Sequence, residues 1–230
     1  QPRVISISQV TELGTVYTLE EIRALADVAH ANDLLLHMDG ARIANAAVSL
    51  GTDLRSLTAD AGVDVLSFGG TKNGLMFGEA VVFFGADRGR GFEYLRKQGM
   101  QLHSKMRYIA AQFDRYLADD LWKRNASAAN RMARELAGAL DAFPELSITR
   151  EVEANGVFCI MPPALIPGLQ EAFFFHVWNE NPTGPAGASS SLGMEVRLMC
   201  SWDTTHEDIR NFEMLVRQQL AQSTERQATP

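Results

Sequence analysis

The sequence contains little cysteine, no long apolar run and no excess of basic residues. Its two cysteines, Cys159 and Cys200, lie in apolar stretches, which predicts buried free thiols of a cytoplasmic protein rather than a disulfide. No apolar run approaches the roughly 20 residues of a membrane-spanning helix. The net charge of −7 implies no general attraction to nucleic acid. No group of His, Cys, Asp and Glu has metal-ligand spacing. Membrane, nucleic acid and metal are therefore not expected as partners.

The 230 residues have the composition of a globular protein, with 46% hydrophobic and 21% charged residues. Strand patterns alternate with helix patterns in the first part, which predicts an α/β sandwich with right-handed crossovers. Near Leu146 the pattern changes and predicts a smaller α+β domain. We therefore predict a large domain over 1–143, a small domain over 144–222 and a polar, fraying tail over 223–230. Gln1-Pro-Arg leads directly into a strand and is not signal-like.

Periodicity and turn residues predict the individual elements. The predicted strands are Val4–Ser8, Leu34–Met38, Val63–Phe68, Glu79–Phe84 (antiparallel), Gly156–Met161, Ala172–Trp178 and Glu195–Cys200. The predicted helices are Thr18–Asn32, Asp53–Ala61, Ser104–Leu117, Ala118–Phe143, Pro163–Gln170 and Thr205 to about Ala221, with a loop over Asn181–Gly193. Thr18 is the predicted N-cap of its helix, and Glu21 completes a capping box.

A carboxylate and a lysine follow two neighbouring strands of this predicted sheet. Asp39 closes the strand that begins at Leu34, and Lys72 follows the next one after a Gly-Gly-Thr turn. A lysine can hold pyridoxal phosphate as a Schiff base, and a carboxylate can pair with its pyridinium nitrogen, so the pair predicts this cofactor. Taken alone, each residue has a plainer interpretation. These are a surface lysine in a glycine-rich turn and an aspartate in an Asp-Gly turn.

Five stretches of the sequence resemble one enzyme family, in family order. They are HMDGARIANAA from His37, SFGGTKNGLMFGEAVVF from Ser67, ELGTVYTLEEI from Glu12, SKMRYIAAQF from Ser104 and EVRLMCSWDTT from Glu195. The family is that of the low-specificity threonine aldolases, which are β-eliminating lyases of fold type I. The resemblance implies the fold-type-I architecture of pyridoxal-phosphate enzymes. Here this means a partial three-layer α/β/α large domain and a smaller α+β carboxyl-terminal domain.

Family members carry roughly a hundred more residues before the position of Gln1, an order-of-magnitude figure within ordinary domain sizes. The resemblance implies that this part holds the first strands, a phosphate-binding turn and a histidine that stacks on the cofactor. We therefore expect residues 1–230 by themselves to bind pyridoxal phosphate poorly.

The resemblance also assigns cofactor-binding roles. It implies that Lys72 forms the Schiff base, and we expect its amine to be buried beside a cationic group. Asp39, expected to be buried and ionised, would keep the ring nitrogen protonated. Arg42 is implied near the phenolic oxygen of the cofactor, and Thr71 is counted with the cofactor-binding residues. The alternative for Arg42 is a structural arginine at the edge of the sheet.

Other residues are implied at the substrate and at the subunit boundary. Arg197 interrupts an apolar strand and matches the arginine that binds the substrate α-carboxylate. Its alternative is an ion pair with Glu195 or Asp203. Gln9 stands where many relatives carry a histidine near the substrate hydroxyl, and we count it with the catalytic candidates. The resemblance also implies that Arg107 and Lys105 contact the cofactor phosphate of a neighbouring subunit.

The resemblance implies pyridoxal-phosphate-dependent cleavage of L-threonine or L-allo-threonine to glycine and acetaldehyde, by a homodimer or homotetramer. Two alternatives stay open because a fold does not determine a reaction. One is another lyase reaction on the same scaffold, either β-elimination or cleavage of a different 3-hydroxy amino acid. The other is a non-catalytic fragment that acts only as an assembly partner.

Overall fold

The computed structural model describes residues 1–85, 87–182 and 193–228. The chain divides into two compact units, Gln1–Ser127 and Ala128–Pro230. The division falls inside a long helix, whereas the sequence pattern places it at the end of that helix. The predicted domain bounds therefore remain a prediction.

The first unit combines four strands with short helices. Its strands are β1 (Val4–Ser8), β2 (Leu35–Gly40), β3 (Val65–Gly69) and β4 (Glu79–Phe83). Its helices are α1 (Leu19–Ala31), α2 (Ile43–Ser49), α3 (Leu54–Leu57), α4 (Phe92–Gln98), α5 (Arg107–Leu117) and the first part of α6 (Leu121–Asp141). Single 3₁₀ turns span Ala59–Ala61, Thr71–Asn73 and Ala118–Asp120.

The four strands form one sheet in the order β1-β2-β3-β4. Strands β1, β2 and β3 are parallel, and β4 runs antiparallel to β3, as predicted. Asp39 lies opposite Ser67 in the register of β2 and β3, and Gly69 lies opposite Glu79 in that of β3 and β4. The carboxyl ends of the parallel strands therefore meet the beginning of β4 at one edge of the sheet.

The two faces of this sheet differ in burial. Leu36 and Met38 of β2 are completely buried and alternate with the half-buried His37 and the exposed Asp39. Because successive strand residues point to opposite faces, one face forms the core and the other carries polar side chains. Helix α1 packs beside β2. The predicted capping box is confirmed, since the Glu21 amide donates to Thr18 Oγ1 (3.2 Å) and the Thr18 amide donates to Glu21 Oε2 (2.8 Å).

Asp64, just before β3, contacts three groups with its carboxylate. Its side chain is 4% exposed. One oxygen, Oδ2, accepts from the Leu36 amide (2.7 Å) and contacts His30 Nε2 (2.9 Å). The other oxygen accepts from the Arg88 guanidinium. Removing this carboxylate would leave a buried amide and a cation without their acceptor, which is costly.

We therefore expect Asp64→Ala to lower the free energy of unfolding by about 3 kcal/mol. The matched control is Asp60→Ala, because Asp60 pairs with Arg55 (3.1 Å) at side-chain exposures of 47% and 81%. An exposed pair of this kind contributes at most about 1 kcal/mol. Urea unfolding followed by circular dichroism measures both variants. Equal losses in the two would show that Asp64 contributes no more than a surface ion pair.

The second unit contains the rest of α6 and an antiparallel sheet. Its strands are β5 (Ser147–Ile148), β6 (Gly156–Met161), β7 (His176–Asn179) and β8 (Met194–Met199), in the order β5-β6-β8-β7. Its helices are α7 (Ile166–Gln170), which follows a 3₁₀ turn at Pro163–Leu165, and α8 (His206–Ala228). One face of the sheet forms a core with α6, α7 and α8, to which Val157, Cys159 and Val196 contribute.

Several predicted elements have different bounds in the structure. The predicted helix over Asp53–Ala61 is divided into α3 and a 3₁₀ turn, and α2 and α4 were not predicted. The predicted strand from Ala172 begins only at His176, and α8 continues to Ala228, beyond the predicted end near Ala221. The fraying of the tail over 223–230 stays a prediction. Most of the predicted Asn181–Gly193 loop lies outside the described residues. No helix in the described ranges is long and apolar enough to cross a membrane.

Candidate active site

Lys72 lies in the 3₁₀ turn Thr71–Asn73 that directly follows β3. Two glycines before it allow the chain to pass close to its neighbours. A Cβ atom on Gly69 would lie 2.6 Å from the backbone of Ala41, and one on Gly70 would lie 2.9 Å from the Gly78 carbonyl oxygen. Any side chain at these positions would collide with backbone. The glycines therefore bring the end of β3 against the turn that follows β2.

The Lys72 side chain is exposed, so the expected burial is wrong for this chain. Within the described part of the chain it has no hydrogen-bond or ion-pair partner. Lys72 is exposed because its turn lies beyond the end of β3, outside the sheet. An amine on a well-held turn is accessible to a ligand carbonyl.

A carboxylate that was not predicted from the sequence contacts the same turn. Glu79, the first residue of β4, accepts from the Gly70 amide at Oε2 (3.1 Å) and from the Thr71 amide at Oε1 (3.3 Å). The Thr71 hydroxyl accepts from the Gly78 amide (3.1 Å). The sequence feature that could have indicated Glu79 is its position as the one charged residue at the start of an otherwise apolar strand. The Thr71 hydroxyl is engaged inside the loop, and a cofactor-binding role for Thr71 stays a prediction.

Asn73 holds the other end of the turn. It is 3% exposed, and its Nδ2 donates to the Tyr116 hydroxyl (2.6 Å) and to the Trp122 carbonyl (2.8 Å). The Asn73 carbonyl accepts from Asn125 Nδ2 (2.9 Å). Burial raises the pKa of Tyr116 to about 12, against the opposing effect of its hydrogen bond with Asn73. Tyr116 therefore stays a neutral hydrogen-bonding group at any ordinary pH.

Asp39 lies in β2, one residue before its end, and is exposed. The prediction of a buried Asp39 is wrong for this chain, because the residue belongs to the polar face of the sheet. Its Oδ1 accepts from the Ala41 amide (2.9 Å), which is the turn interaction that an Asp-Gly sequence favours. Arg42 follows at the beginning of α2 and is half-buried. The structure thus brings Asp39, Arg42, Thr71 and Lys72 to one edge of the sheet.

Gln9 follows β1 and is completely buried. Its Nε2 donates to the Tyr17 carbonyl (2.9 Å), and its Oε1 accepts from the Tyr17 amide (3.0 Å). The amide therefore closes the loop between β1 and α1. A role for Gln9 at the substrate stays a prediction, and its side chain has no basic atom to take a proton.

Arg107 is the first residue of α5, Lys105 lies two residues before it, and both are exposed. The Arg107 guanidinium stacks over the Tyr108 ring at 4.8 Å from its centroid. A contribution of these two residues to the cofactor phosphate of a neighbouring subunit remains a prediction.

Arg197 belongs to the second unit, in the middle of β8. Its guanidinium lies 4.6 Å from the centroid of the Trp178 ring. The alternative of an ion pair with Glu195 or Asp203 stays a prediction, and Glu195 has a second arginine as a neighbour. Glu195 Oε1 accepts from Arg150 Nη2 (2.6 Å) and from the Thr149 hydroxyl (2.6 Å). Trp178 is thus a neighbour of Arg197 that the sequence pattern did not predict.

The residues at the sheet edge fit pyridoxal phosphate. Lys72 provides a primary amine on a turn held at both ends, and Asp39 provides an exposed carboxylate on the adjacent strand. An aldehyde cofactor with a basic ring nitrogen needs these two groups. Among the described residues there is no group of three His, Cys, Asp or Glu side chains placed to hold a metal.

Known proteins resemble this chain in sequence and in fold. The profile of the family described as "Beta-eliminating lyase" matches residues 1–162. The chain belongs to the β-eliminating lyase family. Within this family of pyridoxal-phosphate enzymes, it is 43% identical over 218 residues to the low specificity L-threonine aldolase of Pseudomonas aeruginosa and 40% identical to that of Pseudomonas sp.. These matches cover 94% of this chain and 60% of each relative, so the chain spans about three-fifths of their length.

Solved structures of β-eliminating lyases and related enzymes share the fold. The threonine aldolase of Leishmania major superposes with a TM-score of 0.83 at 28% identity, covering 94% of this chain and 61% of that one. A putative L-allo-threonine aldolase from Listeria monocytogenes superposes with a TM-score of 0.67 at 13% identity, with the same coverage, which supports the fold alone. The predicted fold-type-I class is therefore confirmed, as a partial chain.

Proposed function

We propose that the protein carrying this chain cleaves L-threonine and L-allo-threonine to glycine and acetaldehyde with pyridoxal 5'-phosphate. The observation that carries the proposal is the 43% identity to a low specificity L-threonine aldolase over 94% of the chain. The candidate residues Lys72, Asp39 and Arg197 all lie in the stretches that resemble the family. When bound, pyridoxal phosphate supplies an electron sink for the bond between Cα and Cβ of the substrate.

Each residue has a role that follows from its chemistry. Lys72 would hold the cofactor through its amine. Asp39 would pair its carboxylate with the ring nitrogen and favour a proton on that nitrogen. Arg197 binds the substrate carboxylate by two parallel N–H bonds, which orients the bond that breaks. Arg42 adds positive charge three residues after Asp39.

The products test the proposal against the other lyase reactions. Aldol cleavage of threonine gives glycine and acetaldehyde, whereas β-elimination gives 2-oxobutanoate and ammonia. Acetaldehyde is measured by its NADH-dependent reduction with alcohol dehydrogenase, and 2-oxobutanoate by lactate dehydrogenase. Glycine and acetaldehyde in equal amounts support the proposal. Formation of 2-oxobutanoate as the main product would contradict it, and no product at all would favour a non-catalytic chain.

Binding of the substrate carboxylate by Arg197 predicts a specific kinetic effect. In Arg197→Lys a point charge replaces a planar fork and loses the second parallel bond. We expect the loss to weaken threonine binding by on the order of 2 kcal/mol. This corresponds to a KM that is about thirtyfold higher. Arg150→Lys is the matched control, because Arg150 lies in the same unit but pairs with Glu195. An unchanged KM in Arg197→Lys would show that Arg197 does not bind the substrate carboxylate.

We also propose that the protein is a homo-oligomer of the cytoplasm. A set of large apolar side chains is exposed in the first unit, and it comprises Met76 (84%), Phe77 (48%), Tyr94 (67%), Leu95 (61%), Met100 (85%), Leu102 (44%) and Tyr108 (64%). A second copy would cover such a surface, and Lys105 and Arg107 lie in the same segment. Cys159 and Cys200 are buried free thiols, as in reducing compartments. Sedimentation equilibrium measures the oligomeric state.

A further inference from the structure

Glu79 contacts the two backbone amides that immediately precede Lys72. One carboxylate oxygen accepts from Gly70 (3.1 Å) and the other from Thr71 (3.3 Å). Both oxygens of one side chain are therefore used on consecutive peptide groups. Hydrogen bonds to an ionised acceptor are stronger than those between neutral groups.

The turn before Lys72 depends on such an outside acceptor. The first amides of a helical turn have no carbonyl partner within the turn. Gly69 and Gly70 have no side chains that could hold the segment by packing. Glu79 stands opposite Gly69 in the register of β3 and β4, so its carboxylate closes the base of the loop that runs between the two strands.

The remaining contacts of the loop restrict Lys72 from both sides. The Thr71 hydroxyl accepts from the Gly78 amide, next to Glu79 in sequence (3.1 Å). On the other side, Asn73 is buried and hydrogen-bonded to Tyr116. Lys72 therefore lies exposed between two held neighbours. Among the described residues, no ion pair joins Glu79 to Lys72, so Glu79 acts on Lys72 through the backbone.

We propose that Glu79 is a positioning residue for the reaction. Its carboxylate holds the Gly70–Thr71 backbone so that the Lys72 amine meets the cofactor carbonyl in one orientation. Orientation of reacting groups accounts for a large share of rate enhancement, and a misplacement of about 1 Å costs about a hundredfold. This inference rests on the proposed function, because it assigns Lys72 as the residue that holds the cofactor.

The test uses Glu79→Gln and Glu79→Ala in the purified protein. Each variant is mixed with pyridoxal phosphate without threonine, and the bond formed is reduced with borohydride after increasing times. Peptide mass mapping then gives the rate of modification at Lys72. We expect Glu79→Ala, which loses both acceptors, to be slower by about a hundredfold. Glu79→Gln keeps one acceptor oxygen and should fall between Glu79→Ala and the parent protein.

The steady-state constants kcat and KM provide a second test. We expect kcat for threonine cleavage to fall in the same order, while KM changes by less than about twofold because the substrate carboxylate is held by a different residue. Glu20→Gln and Glu20→Ala are the matched controls, since Glu20 is an exposed glutamate of the same unit. They should leave both the modification rate and kcat unchanged.

Three outcomes would overturn the proposal. The first is a parent-like modification rate at Lys72 in Glu79→Ala. The second is a rate loss that vanishes after division by the folded fraction, measured by thermal unfolding of the cofactor-free variants. The third is an equal loss in the Glu20 controls. Failure of the proposed function is recognised separately, since the parent protein would then form 2-oxobutanoate or no product from threonine, whereas the modification rate at Lys72 is measured without threonine.

Discussion

Replacing Lys72 with alanine is expected to abolish threonine cleavage while leaving the fold intact. The side chain is exposed and has no hydrogen-bond partner in the described ranges, so its truncation removes little packing. The turn keeps its hydrogen bonds, because none of them uses the Lys72 side chain. The Gly70 amide still donates to Glu79, and Asn73 Nδ2 still donates to the Trp122 carbonyl. What is lost is the amine that we propose holds the cofactor. We expect turnover to fall by about a thousandfold or more.

The measurement combines acetaldehyde release with borohydride trapping of pyridoxal phosphate. Lys72→Ala should show neither cleavage nor trapping, and its thermal unfolding without cofactor should match that of the parent protein. Lys123→Ala is the control, because Lys123 is an exposed lysine of α6. It should behave as the parent protein in all three measurements. Cleavage by Lys72→Ala at a comparable rate would show that another residue holds the cofactor.

Replacing Asp39 with asparagine is expected to have the second largest effect. The side-chain amide has the same shape as the carboxylate. Its oxygen can still accept from the Ala41 amide, which in the parent protein donates to Asp39 Oδ1 at 2.9 Å. The turn should therefore persist and stability should hardly change. A neutral amide cannot keep a ring nitrogen protonated, so the ring would accept electrons poorly. Loss of one group that stabilises developing charge costs about a hundredfold or more in kcat.

Comparison of three variants separates charge from shape at this position. Asp39→Asn should lose activity with stability retained, and Asp39→Ala should lose both activity and the turn bond to Ala41. Asp27→Asn, at an exposed position of α1, is the control for removal of one negative charge. Steady-state kinetics and the affinity for pyridoxal phosphate are measured for all three. An unchanged kcat in Asp39→Asn would exclude this carboxylate as the partner of the ring nitrogen.

Local features of the chain could be predicted from residue order. The strand Val4–Ser8 has the predicted bounds, and α1 begins after the predicted cap Thr18 with Glu21 completing the box. These features depend on contacts within a few residues, which the sequence displays directly. The family segments around Asp39, Lys72 and Arg197 were visible for the same reason. They are contiguous motifs.

Contacts between distant residues could not be predicted in this way. Asn73 bonds to Tyr116 across 43 positions, and Arg150 pairs with Glu195 across 45. Such partners depend on which strands become neighbours and on their register. Glu195 and Asp203 are the predicted alternative partners of Arg197. The tertiary structure also brings Arg150 to Glu195 and Trp178 to Arg197, which the sequence did not predict.

By itself, the sequence determined the alternation of strands and helices, the capping of α1 and the presence of a lysine and a carboxylate after neighbouring strands. Only the tertiary structure decided that Asp39 and Lys72 are exposed in this chain and that Glu79 closes the turn before Lys72. The physical reason is that burial and hydrogen bonding of a side chain depend on the surfaces that surround it. The register that places Glu79 opposite Gly69 exists only once β3 and β4 have paired.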